Sequence, residues 1–239
     1  MTDEAKRTPN EAGDGAETLR ALIAATDDHD IDGVLSYGRK YAKFSKARPA
    51  PAHRAAVLGA CSVQFFAQTL RAMLFALDAE TALYEGEYDG VRMDALCDDS
   101  PFYAFRPESV LLLPDVRELT ERPALFSDAA ARRELAERYA GESLALWAHI
   151  EGRLPGCAIY TANYVLPVER QLSLLEANAP YSFTALVREL NASLCARRPP
   201  YVTIVDVDYL ASCEGKRRFL DPSAQIQSCT PSKPRRCST

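Results

Sequence analysis

The apolar positions of this chain fall into two patterns that alternate along its length. Short, nearly continuous runs stand at residues 55–58, 82–84, 109–113, 157–160 and 201–205. Runs of that length bounded by turn residues predict buried strands, as in a parallel sheet. Between them the apolar residues recur three or four apart, which predicts helices at 63–77, 127–150 and 183–194. In the first of these helices Phe66, Leu70, Met73, Leu74 and Leu77 form the stripe. Upstream, Leu19, Leu22 and Ile23, then Val34, Leu35, Tyr41 and Phe44, predict one or two further helices over 19–44. Asp30-Ile31-Asp32 can cap the second of them. Strands alternating with helices argue for a mainly parallel α/β sheet covered on both faces, preceded by a helical segment.

The pattern also breaks in three places. Residues 1–18 are rich in Asp, Glu, Gly and Pro and read as a disordered leader. Residues 47–52, with Pro49 and Pro51, read as a linker, so that helices and linker occupy 19–52 and the α/β domain 53–225. Residues 226–239 hold Ser, Pro, Lys, Arg and two cysteines without apolar period and read as an unfolded tail. A chain cut short or shifted in frame would carry such a tail.

Composition narrows the function classes. A length of 239 residues suits one sizeable α/β domain. The net charge of -5 disfavours nucleic acid and anionic membranes as partners. No apolar run nears the roughly 20 residues needed to cross a bilayer, and residues 1–15 resemble neither a signal nor a transit peptide. The seven cysteines show no CxxC spacing, which disfavours zinc and predicts free thiols in a cytoplasmic protein.

Two constellations could carry chemistry. The first is the turn Gly59-Ala60-Cys61-Ser62 after the opening strand, at the sheet end where ligands bind in open α/β folds. An SGNH-type esterase places its nucleophile there and oxyanion donors in later loops. Cys61 or Ser62 would fill the first slot, with Asp115 after the third run and Asn163 after the fourth. A nucleophile needs a base in reach, yet His29, His53 and His149 all precede the last 90 residues, where that triad keeps its histidine. The plainer reading makes Ser62 a helix cap and Cys61 a small packed side chain. The second constellation is Asp206-Val207-Asp208 after the last strand. Haloacid-dehalogenase phosphatases present a nucleophile and a general acid with magnesium in this way. Too little chain follows for such a sheet, so solvated carboxylates at a strand end are the plainer reading. Arg197-Arg198 and Lys216-Arg217-Arg218 are short basic runs suited to a solvated face or an acidic partner. Asp98-Asp99-Ser100 reads as a turn or cap, and Phe102, Tyr103, Phe105 and Trp147 as packing.

Taken in order, several segments resemble the N-terminal region of FkbH-like proteins of the haloacid-dehalogenase superfamily, subfamily IIIC. They are Val57 through Phe66, Leu83-Tyr84-Glu85-Gly86-Glu87-Tyr88-Asp89, Ser100 through Glu108, and Asp115-Val116-Arg117-Glu118-Leu119. Leu190-Asn191, Val205 through Ala211, Gly215 and Phe219-Leu220-Asp221-Pro222 complete the series. The resemblance implies a three-layer, SGNH/flavodoxin-like α/β domain that normally precedes a catalytic domain. In FkbH-like proteins of polyketide pathways that catalytic domain transfers a glyceryl group from 1,3-bisphosphoglycerate to an acyl carrier protein. Its Asp-x-Asp-Asn-Thr signature occurs nowhere in these 239 residues, so its catalytic residues map to no position here. The resemblance therefore implies a binding or scaffold domain. Its expected partner is an acyl carrier protein or a separate catalytic domain of haloacid-dehalogenase type. Magnesium is expected only for that other domain, with Asp206 and Asp208 as weak candidate ligands here.

Overall fold

A computed structural model describes residues 10–26, 30–44, 53–79, 81–88, 90–170 and 172–220. Five strands form one sheet in the order β2-β1-β3-β4-β5: β1 His53–Gly59, β2 Thr81–Glu85, β3 Ser109–Leu113, β4 Ala158–Ala162 and β5 Val202–Val205. β1 pairs in parallel with β2 and with β3, and β3 with β4. Bonds from Ile159 N–H to the Tyr201 carbonyl (3.0 Å) and from Asn163 N–H to the Val205 carbonyl (3.1 Å) keep one offset, so β5 is parallel too. All five predicted strands are present, and the α/β, flavodoxin-like class follows from this order.

The connections are helical, as parallel strands require. α3 Gln64–Ala76, α4 Val91–Leu96, α5 Pro101–Phe105, α6 Ala129–Arg153 and α7 Phe183–Arg197 lie between strands, while α1 Asn10–Ala25 and α2 Ile31–Phe44 precede β1 and α8 Val207–Glu214 and α9 Lys216–Phe219 follow β5. α1 begins at Asn10, inside the stretch expected to be a leader, because Ala16 and Leu19 bury against a shared cluster. That cluster joins Ala16, Leu19 and Tyr37 to Ala72, Phe75 and Ala76 of α3, with Leu22, Ile23, Val34 and Tyr41 around it. Asp30 caps α2 as expected, its Oδ1 accepting from Gly33 N–H at 3.0 Å. Residues 1–9, the linker 47–52, His29 and the tail 226–239 lie outside the described residues, as do the side chains of Leu35 and Phe44.

The chain divides into two compact units. The first is drawn from residues up to 113, from 143–161 and from 198–203. Crossovers between parallel strands are right-handed. β1 to β2 steps one way and β2 to β3 the other, so α3 covers one face of the sheet and α4 and α5 the opposite face. β3 shows the result, with Val110 and Leu112 buried and Ser109, Leu111 and Leu113 half-buried. On β4, Ile159 is buried while Tyr160 is 43% exposed, which corrects the expectation of a wholly buried strand. α3 departs from expectation in the same sense. Its buried residues are Ala67, Ala72, Phe75 and Ala76, of which the last three pack against α1 and α2, whereas Phe66, Met73 and Leu77 of the predicted stripe are exposed.

Residues 86–108 hold α4 and α5, which apolar period alone does not show. Ser100 caps α5, its Oγ accepting from Phe102 N–H at 3.1 Å, and Pro101 opens the helix. Ser100 Oγ and Tyr84 Oη both donate to Oδ1 of the buried Asp94, at 3.1 and 2.9 Å. Tyr84 also meets the rings of Phe102 and Phe105, and Phe102 that of Tyr103, which confirms packing roles for these aromatics. Trp147 of α6 is buried as well.

Burial, and after it the Asp94 hydrogen bond, pushes the Tyr84 phenol up to about 12, and burial does the same to Tyr103. The unfolded chain releases these protons near pH 10 while the native chain keeps them until about 12. Above pH 10 the unfolded state therefore binds fewer protons, and stability falls as pH rises through that window. Thermal melting between pH 9 and 11.5 should show this fall, with a shallower slope in a Tyr84→Phe/Tyr103→Phe variant. Equal slopes would refute the assignment.

Candidate functional site

In the order β2-β1-β3 the chain reverses direction beside β1, and the crevice beyond the carboxyl ends of β1 and β3 is the switch point of the sheet. Gly59 ends β1 there, and Ala60 N–H closes the turn onto the Leu113 carbonyl at 3.1 Å. A Cβ on Gly59 would stand 2.7 Å from Cγ1 of Val63, so the turn packs too closely for a side chain at that position. Cys61 and Ser62 follow, both half-buried.

Ser62 does not cap the helix, contrary to expectation. α3 starts at Gln64, its N-cap position is Val63, and no side chain caps it. Ser62 lies one residue too early for its oxygen to meet the first free N–H groups. The base is no nearer than the sequence suggested. His53 opens β1, and seven residues at ~3.3 Å each put it roughly 20 Å from the turn. His149 meets Tyr103 edge to face (ring centroids 6.2 Å) and faces Asp98 with Nε2 3.6 Å from Oδ1.

The remaining candidates belong to the second unit, drawn from 114–142, 162–197 and residues from 204 on. Each follows the end of a strand, and each is engaged in holding backbone. Asp115 follows β3 and caps the 3-10 turn Val116–Glu118. Its Oδ1 accepts from Arg117 N–H at 2.8 Å and from Arg117 Nε at 2.9 Å, and its Oδ2 pairs with Arg117 Nη2 at 2.8 Å. Glu118 closes the capping box by accepting from Asp115 N–H at 2.9 Å.

Asn163 follows β4 and bridges to the dyad that follows β5. Its Nδ2 donates to Asp206 Oδ1 at 2.7 Å, and its Oδ1 accepts from Asp208 N–H at 2.9 Å. Asp206 Oδ1 also caps α8 through Tyr209 N–H at 3.0 Å. Asp208 Oδ1 accepts from Leu166 N–H at 2.6 Å and pairs with the Lys216 ammonium. Asn191 on α7 adds a clamp to the same loop, accepting from Tyr164 N–H at 3.0 Å and donating to its carbonyl at 2.8 Å. Sequence reasoning gave Asn191 no role; a polar residue next to the buried Leu190 on α7 was the available signal.

These partners leave the dyad poorly suited to magnesium. An ammonium already neutralises Asp208, and among the described residues no group of three or more His, Cys, Asp and Glu side chains could hold a metal ion. Hard cations take several oxygen ligands.

The basic runs divide in the same way. Arg197 pairs with Glu137, Arg198 donates to the Val202 carbonyl at 3.3 Å, and Lys216 pairs with Asp208. Arg217 and Arg218 are exposed on α9, beside exposed Tyr209 and Leu210 of α8 and Phe219. The five described cysteines form no disulfides, and burial pushes the Cys157 thiol up to about 11.

Comparison with known proteins agrees with this architecture. The FkbH, N-terminal domain family matches residues 54–230. A solved structure from Bacteroides fragilis, the N-terminal part of the protein BF1531, described as containing a phosphatase domain complexed with Mg, has a similar fold. The TM-score is 0.61 at 17% identity, over 89% of this chain and 50% of that one. This chain thus spans half the length of that structure. No curated protein matches the sequence.

The local roles are open to test by substitution. Asn163→Ala should destabilise the protein by about 1–2 kcal/mol, the cost of orphaning the part-buried Asp208 N–H, the Asp206 partner being exposed. Ser62→Ala should change stability by less than about 0.5 kcal/mol, since no cap is lost. Urea unfolding of both variants measures this, and a Ser62→Ala cost of about 1 kcal/mol or more would restore the capping role.

Proposed function

We propose, from the premise that the chain belongs to the FkbH N-terminal domain family, that it is a docking domain in a specialised-metabolite pathway of polyketide type. Its catalytic partner is a domain of haloacid-dehalogenase type that transfers a glyceryl group from 1,3-bisphosphoglycerate to an acyl carrier protein. This chain binds the carrier or the catalytic domain and works in the cytoplasm. Among the described residues no helix is long and apolar enough to cross a membrane.

The observation that carries the reading is the surface of α8 and α9. Arg217 and Arg218 stand exposed, and no ion pair engages either of them among the described residues. Tyr209 at 69% and Leu210 at 50% exposure lie on the adjoining helix. Exposed aromatic and aliphatic side chains flanked by cations suit an acidic helical partner, because opposite potentials speed encounter and apolar contacts hold the complex. The polar residues at the strand ends are engaged structurally, which favours binding over chemistry.

A second reading, an SGNH-type acyl hydrolase or transferase using Ser62 or Cys61, draws on one observation. The Ser62 hydroxyl lies at the switch point without a capping duty.

Titration of the protein with its cognate acyl carrier protein should show saturable binding that weakens with salt. Arg217→Glu/Arg218→Glu should weaken it at least about tenfold with the fold intact by circular dichroism, as for charge reversal at an interface. No binding by the folded wild type would end the carrier reading. Turnover of short acyl esters or thioesters, lost in Cys61→Ala/Ser62→Ala, would establish the second reading in its place.

A further inference from the structure

The first unit contains an apolar slot that the proposed function leaves without a role. It lies under α3 on the incompletely covered face of the sheet and has a volume of about 420 Å³. Leu70 and Leu74 of α3 form its roof, and Val57, Leu83, Leu111 and Tyr160 line its floor. The slot exists because of how α3 packs. The helix presses its alanine side and Phe75 against α1 and α2, leaving Leu70 and Leu74 half-buried over the strands. Cavities of roughly 300–1,000 Å³ with mainly apolar walls and a few polar groups at one end are the usual form of small-ligand sites.

The polar end is at the amino ends of β1 and β3, where His53, Arg54 and Glu108 complete the lining. Arg54 and Glu108 are also walls of a second cavity of about 220 Å³, which Arg106 and Arg153 share. The charged groups there are placed unequally. Glu108 is turned to the backbone, accepting from Arg54 N–H at 3.2 Å and facing His53 Nδ1 at 3.4 Å. Arg54 Nε donates to the Arg106 carbonyl at 3.0 Å, which fixes the guanidinium in the wall. Arg153 is held by Asp98, with Nη1 3.3 Å from Oδ1 and Nη2 donating to the carbonyl at 3.0 Å. The Arg106 guanidinium has no ion pair among the described residues, and its backbone sits in the left-handed region (φ 53°) at the end of α5. With Arg153 taken up by Asp98, Arg54 and Arg106 stand against the single carboxylate of Glu108 in this lining, leaving an excess of positive charge.

An apolar slot adjoining a cationic cavity matches a ligand with both characters. We propose that this edge of the sheet binds a small amphiphile, its linear apolar chain under α3 and its anionic head, a carboxylate or a phosphate, against Arg54 and Arg106. The charge of the second cavity selects the head, and the apolar walls of the slot select the chain. This site is at the opposite end of β1 from the Gly59–Ser62 turn and independent of α8 and α9, so it stands or falls apart from carrier docking.

The test is calorimetric titration of the purified chain with decanoate, decyl phosphate and decanol below their aggregation limits. The two anionic amphiphiles should bind one to one, and decanol about tenfold more weakly, the expected loss for a missing charge-assisted contact. A preference between decanoate and decyl phosphate identifies the head group. Arg106→Asn, which keeps a residue tolerant of the left-handed backbone, should bring the anions down to the level of decanol. Leu70→Trp should fill the slot and abolish binding of all three. Equal affinity for decanol and the anions, anion binding untouched by Arg106→Asn, or no binding by folded wild-type protein would each overturn the proposal. Because Arg106 is exposed, its variant decides the matter even if Leu70→Trp does not fold.

Discussion

Everything in the first unit hangs on β1 being paired on both sides by parallel neighbours. Ala55 to Val57 bond β2 along one edge and β3 along the other, and Ala56, Val57 and Leu58 have almost no contact with solvent. A parallel pair cannot be closed by a tight hairpin, so each step to a neighbour needs a helix across a face. Because the steps from β1 to β2 and from β2 to β3 go in opposite directions, the two faces receive different helices. The turn after β1 is left between them at the switch point.

That constraint was legible because strands buried on both sides are apolar throughout, and all five runs became strands of one sheet. The cap at Asp30 was legible for a local reason, since a carboxylate reaching the third N–H ahead needs no tertiary information. What could not be read was the direction a helix turns. The periodicity of α3 is genuine, but a stripe of Phe66, Met73 and Leu77 and a stripe of Ala72, Phe75 and Ala76 fit the same repeat. Only the presence of α1 and α2 decides which one is buried. The same applies to α1 itself, whose small and acidic residues look like a leader until Leu19 finds its neighbours.

The candidate residues show a related limit. Asp115, Asn163, Asp206 and Asp208 stand out in the sequence because polar groups after strands are where α/β proteins do chemistry. In this chain those groups satisfy the backbone: a capping box with a paired arginine, a helix cap, and an amide that joins two loops. Buried or half-buried polar atoms must find partners, and the ends of strands and helices supply them in number. Composition alone cannot tell a carboxylate with a structural partner from one held ready for a substrate. The Lys216 ammonium against Asp208 and the Arg117 fork around Asp115 are what separate the two cases.

The division of the chain bears on how the protein is made. The first unit takes its strands from residues up to 113, then from 143–161, and finally from 198–203. At ~5–20 residues per second, the start of β5 leaves the ribosome roughly 2–8 s after β4, some ~40 residues later. Until then β4 has an unpaired edge carrying Ile159 and Thr161, and such an edge invites pairing with another chain. Translation speed through residues 163–201 therefore sets how long each nascent chain is exposed to misassembly.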